Sequence, residues 1–109
     1  MFDDITESDW RVFKRLRESA LERHCETILS EVARVIDGNG ESMHERYLAV
    51  YRLIQECDQE LESIFDTVRR STAVAQLFNF RRAHLVTNEQ FAKLSPELRD
   101  RIDALLKLQ

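Results

Sequence analysis

A chain of 109 residues with 33% charged side chains, two glycines and one proline has the composition of long helices and lacks the turn formers that hairpin-rich sheets require. The acidic start MFDDITESDW has no basic or apolar segment of a secretory signal, and no apolar run approaches the ~18 residues of a membrane span, so a cytoplasmic protein without membrane contact is expected. Charge is unevenly spread: residues 1–66 carry 8 basic and 16 acidic side chains, whereas residues 67–109 carry 8 basic and 4 acidic.

The first element is a helix over about 7–37. Thr6 has the chemistry of an N-cap with Asp9 three residues on, Ile5 and Trp10 are placed as a hydrophobic staple, and Asp3, Asp4 and Glu7 suit the positive end of the helix dipole. Apolar residues from Trp10 and Phe13 through Leu16, Leu21, Ile28, Val32 and Ile36 recur at helical spacing. Trp10, Leu21 and Val32 are eleven apart, so the stripe drifts around the rod and its two halves are expected to touch different neighbours. Asp37-Gly38-Asn39-Gly40 should end this helix, with Gly38 as a left-handed cap.

A second helix is predicted over about 43–82. Ser42 and Glu45 form a capping box, and Tyr47, Val50, Ile54, Cys57, Leu61, Ile64, Val68, Ser71, Ala75 and Phe78 fall on alternating heptad positions. The Gly-Asn-Gly link makes the two helices an antiparallel hairpin. Thr87 with Gln90, then Ser95-Pro96, predict short helices over about 88–94 and 96–107, folded back through Phe91, Leu94, Leu98, Ile102, Leu105 and Leu106. The expected fold is all-α, a single domain. Residues 73–80, AVAQLFNF, are apolar nearly all round and need cover from the C-terminal helices or from a second subunit, which points to a homodimer forming a four-helix bundle.

Residues 67–88 hold four arginines, one histidine and no carboxylate. Arg70 and Arg81 share a helical face with Val74 and Leu77, a candidate surface for an acidic, amphipathic partner helix. The alternative is nucleic acid, held by Arg69, Arg70, Arg81 and Arg82 with Arg11, Lys14, Arg15 and Arg17, although the acidic net charge of −4 and the lack of a known binding motif weigh against it. A third arrangement pairs these arginines with carboxylates such as Glu97 and Asp100.

Catalytic and metal chemistry find little support. His24, His44 and His84 lack the i, i+4 spacing of a zinc helix, Glu41-x-x-His44 is half of a di-iron signature, and His24 beside Cys25 in a helix does not make a nucleophile–base pair. Glu31, between Ile28 and Val35 on the apolar side, is the one carboxylate placed for a role inside a bundle, with solvent or an arginine of the second helix as its ordinary partner. Cys25 and Cys57 form no CxxC motif and are expected as reduced, inert thiols. No enzyme activity, cofactor or metal is predicted.

The runs ESDWRVFKRLRESALERHCETIL, HERYLAVYRLIQECDQEL and FDTVRRSTAVAQL resemble an uncharacterised family of small helical proteobacterial proteins. That resemblance implies a bacterial, cytoplasmic setting and carries over no catalytic residue, cofactor or partner.

Overall fold

A computed structural model describes residues 5–38, 42–65 and 68–108. They form five helices and no strand: α1 Glu7–Ile36, α2 Met43–Ile64, α3 Arg70–Arg82, α4 Asn88–Phe91 and α5 Pro96–Lys107. No helix among the described residues is long and apolar enough to cross a membrane.

The helix starts follow the local chemistry. The Asp9 amide donates to Thr6 Oγ1 at 3.1 Å, and reciprocal bonds link Ser42 with Glu45 and Thr87 with Gln90. Ser95 caps α5, with Pro96 at its first position. At the end of α1 the Gly38 amide donates to the Val35 carbonyl at 3.2 Å. Asp3, Asp4, Asn39, Gly40 and Glu41, and with them part of the expected turn and the Glu41-x-x-His44 spacing, lie outside the described residues.

The continuous second helix does not form. It ends at Ile64, and Phe65 caps it with φ −109° and its amide on the Leu61 carbonyl. A new helix begins at Arg70, so Ser71 and Thr72 fall in the first turn of α3 and do not interrupt a rod. The reason is burial. A straight rod would leave Phe65, Ala73, Leu77 and Phe80 to water, whereas the break lets α3 pack against α1 and α5 and buries all four.

The core therefore gathers at one end. Phe13, Leu16 and Ala20 of α1, Phe65, the 73-77-80 face of α3, Leu85, Val86 and Phe91 around α4, and Leu98 and Ile102 of α5 make one cluster. Phe13 and Phe80 stack with centroids 6.2 Å apart, and Phe65 meets Phe80 at 5.1 Å. Polar ties also cross this head: Arg23 donates to the Leu85 carbonyl at 2.9 Å, and Gln90 Nε2 to Ser19 Oγ at 2.9 Å. Within the stretch at 73–80, Ala73, Gln76, Leu77 and Phe80 are thus buried inside the chain, Val74 and Phe78 are half-buried and Ala75 is exposed.

α3 ends in a Schellman turn, with the His84 amide on the Arg81 carbonyl and the Leu85 amide on the Phe80 carbonyl. His84 occupies the left-handed position at φ 60°, where glycine is the usual residue. His84→Gly is therefore expected to raise stability by up to about 1 kcal/mol, read as a thermal midpoint about 4–6 °C higher by circular dichroism. A lower midpoint would show that the histidine ring makes a compensating contact.

The other end is built differently. Among the described residues, α1 holds no buried residue after His24 and α2 holds none. The expected change of neighbours along α1 is found: its first half enters the head, its second half forms one strut of a two-helix arm. The molecule measures 55 × 26 × 24 Å with a radius of gyration of 17.1 Å, against about 13 Å for a compact chain of this length.

Candidate interaction surface

The arginine-centred surface expected from the sequence is dispersed by the fold. Leu77 is 2% exposed and Val74 packs against the core, so neither is free to anchor a partner. Arg70 forms an ion pair with Glu7 and lies 5.7 Å over the Trp10 ring. Arg81 donates to the Val86 carbonyl at 3.2 Å and to Asn88 Oδ1 at 2.6 Å, and stacks 4.4 Å from the Phe91 centroid. These two guanidiniums serve the head, and the carboxylate that pairs with Arg70 is Glu7, not Glu97 or Asp100. Of the wider basic set, Arg11 pairs with Glu7, Lys14 covers Trp10 and Arg82 covers Phe78. Arg69 is the N-cap of α3.

Glu31 pairs with Arg34 one turn along its own helix at 2.6 Å, not with α2. His24 is buried against Phe65, with Nε2 3.6 Å from Glu60 Oε1. Among the described residues no three His, Cys, Asp or Glu side chains come together as a metal site. Cys25 and Cys57 are free thiols. Desolvation raises the Cys57 pKa above its usual value, and the carboxylates of Glu60, Glu56, Glu31 and Asp58 add to the rise, which favours the neutral, weakly nucleophilic thiol.

What the arm exposes is more informative. Met43, Tyr47, Tyr51 and Ile54 on α2 and Leu29 and Ile36 on α1 all stand in solvent, Tyr47 at 66% and Leu29 at 64%. Helical spacing puts them on one side. At about 100° per residue the mean direction of residues 43, 47, 51 and 54 on α2 lies about 55° from that of Val50, Cys57 and Leu61, and on α1 the mean direction of residues 25, 29 and 36 lies about 75° from that of Ile28, Val32 and Val35. Because the helices run antiparallel and both offsets go with the direction of winding, the two flanks fall on the same face. A groove of about 230 Å³ runs between them, with Ile28, Leu29, Ile54, Cys57 and Leu61 in its walls and Asp58 at its rim. Of the heptad positions on α2, Val50, Cys57, Leu61 and Ile64 are half-buried, whereas Tyr47 and Ile54 are exposed to water.

The sequence signal for this face was present as an excess: helix 1 carries more apolar positions after Cys25 than a single neighbouring helix covers. Its assignment needed the break at Phe65, which withdraws every other element from the arm. No family model matches the chain, no curated protein matches its sequence, and no solved structure matches its fold. The molecule is defined by its own geometry, as an all-helical protein with a packed head and a protruding two-helix arm.

Proposed function

We propose that this chain is a non-catalytic helical protein-interaction module that works as a homodimer, with the apolar face of the arm as its contact surface. The observation that carries this reading is α2: 22 residues of capped, amphipathic helix with no buried residue and four large apolar side chains exposed on one side. Such a helix, packed mainly on α1 and joined to the core only through Leu61 and Ile64, gains little of the tertiary burial that supplies most helical stability in proteins. A second arm laid on the same face makes a four-helix bundle and supplies it. The use of Arg70 and Arg81 within the head is in keeping with a role that is not based on an arginine patch. The setting we assign, a bacterial cytoplasm, rests on the sequence resemblance and on the two free thiols.

Light scattering on the eluting peak at micromolar concentration is expected to give twice the chain mass. Leu29→Glu with Tyr47→Glu is expected to give the monomer with an unchanged circular dichroism spectrum, because both side chains are exposed. A monomeric wild-type chain would overturn the reading. A mass raised by bound nucleic acid, seen as excess absorbance at 260 nm, would return the function to the arginines and the basic start of α1.

A further inference from the structure

Resting on that reading, we infer that the two copies pair with their arms antiparallel, tip against base, about a two-fold axis that crosses the arm between Tyr51 and Ile54. Three features of the chain select this partner and this arrangement.

The first is area. A compact monomer of this length exposes about 6,300 Å². This chain exposes 7427 Å². The difference, about 1,100 Å², is of the size that one partner contributes to a stable interface, about 800 Å². Burial of the arm face by an equal copy thus returns each chain to the surface expected of a compact protein.

The second is shape. A two-fold axis lying in the plane of the face and perpendicular to the helices stacks α2 on α2 and α1 on α1, each pair antiparallel. In α2, residues whose numbers sum to about 105 then oppose one another, so Tyr51 meets Ile54. In α1, contact with α2 places the axis near residue 31, since His24 lies beside Glu60, and Leu29 of one copy falls over the exposed Ala33 of the other. At the α1 contact large thus opposes small, and at the α2 contact an aromatic ring meets an aliphatic side chain. The arm reaches from the head to its tip without interruption, so each tip ends where the other copy's head begins.

The third is charge. The carboxylates on this face, Glu22, Glu26, Asp58 and Glu62, all lie on the head side of its midpoint, while the tip presents His44, exposed at the start of α2. Pairing with both heads at the same end would bring these carboxylates together from both copies, and like charges in an interface disfavour it. The antiparallel arrangement separates them: Glu62 opposes His44, and Asp58 comes opposite the Tyr47 hydroxyl.

The experiment is a mixed cross-link. Chains carrying His44→Cys and chains carrying Glu62→Cys, both in a Cys25→Ser, Cys57→Ser background and one bearing an added tag, are mixed and treated with a short bismaleimide. The expected product is the mixed dimer, with little linkage inside either population alone. A dimer by light scattering that gives no mixed product would overturn the antiparallel arrangement and leave the homodimer standing, whereas a monomer would overturn both. A second set with native cysteines guards against loss of folding. His44→Glu alone sets a carboxylate against Glu62 and is expected to weaken dimerisation about five- to tenfold, and the double variant with Glu62→Lys to restore it. Additive weakening in the double variant would equally overturn the pairing.

Discussion

Phe80→Ala is expected to destabilise the protein by about 3–5 kcal/mol. Phe80 is fully buried at the centre of the head, stacked on Phe13 and tilted against Phe65, so truncation removes transfer energy and leaves a cavity between three elements that are held apart by the rest of the core. Against a total of about 5–15 kcal/mol for a domain, this is a large fraction. The measurement is a urea transition followed by helical circular dichroism, compared with Tyr47→Ala studied at concentrations where the chain is monomeric. Tyr47 is exposed, and its loss is expected to change stability by less than about 0.5 kcal/mol. The comparison tests the fold itself. A cost under about 1 kcal/mol for Phe80→Ala would mean that α3 continues α2 as one rod, since only the break after Ile64 brings Phe80 against Phe13.

Asp9→Ala is expected to cost about 2–3 kcal/mol, mostly by stranding the start of α5. The Asp9 carboxylate is 3% exposed and accepts from the Ser95 amide at 2.8 Å through Oδ1 and from the Ser95 hydroxyl at 2.5 Å through Oδ2. Ser95 Oγ in turn accepts from the Leu98 amide, so one carboxylate in the first turn of α1 fixes both the cap residue and the entry angle of α5. Removing it leaves a half-buried amide without its acceptor and withdraws a negative charge from the positive end of α1. Ser95→Ala and the double variant complete a cycle, in which a coupling above about 1 kcal/mol is expected for groups in direct contact. Independent, additive losses would show that Asp9 acts only on its own helix.

Much of the local structure was legible because its causes are local. Thr6, Ser42, Thr87 and Ser95 each sit a fixed three residues from the amide they cap, a relation that needs no knowledge of the rest of the chain. The Asp9–Ser95 contact was not legible. Asp9 read as a first-turn acid, and nothing in its spacing tells that a residue 86 positions away delivers two donors to it. His84 likewise carried no mark of the left-handed turn it occupies, since the glycine that usually announces one is missing.

The candidate site shows the same division. Arg70, Val74, Leu77 and Arg81 do share a helical side, but α1 and α5 cover that side, and the arginines end as internal ties to Glu7, Val86 and Asn88. The apolar excess on the far half of helix 1 and on α2 was in the sequence, yet the same heptad pattern serves a seam inside a hairpin or a seam between two hairpins.

By itself, then, the sequence determined that the chain is helical, where four of its five helices begin, and that it holds more apolar surface than one hairpin covers. Capping, propensity and periodicity act within a few residues and survive any tertiary arrangement. Only the tertiary structure decided where the second helix breaks, which apolar face becomes core and which remains on the arm. Those choices depend on how Phe65, Phe80 and Phe13 bury together, a gain in free energy that no single segment contains.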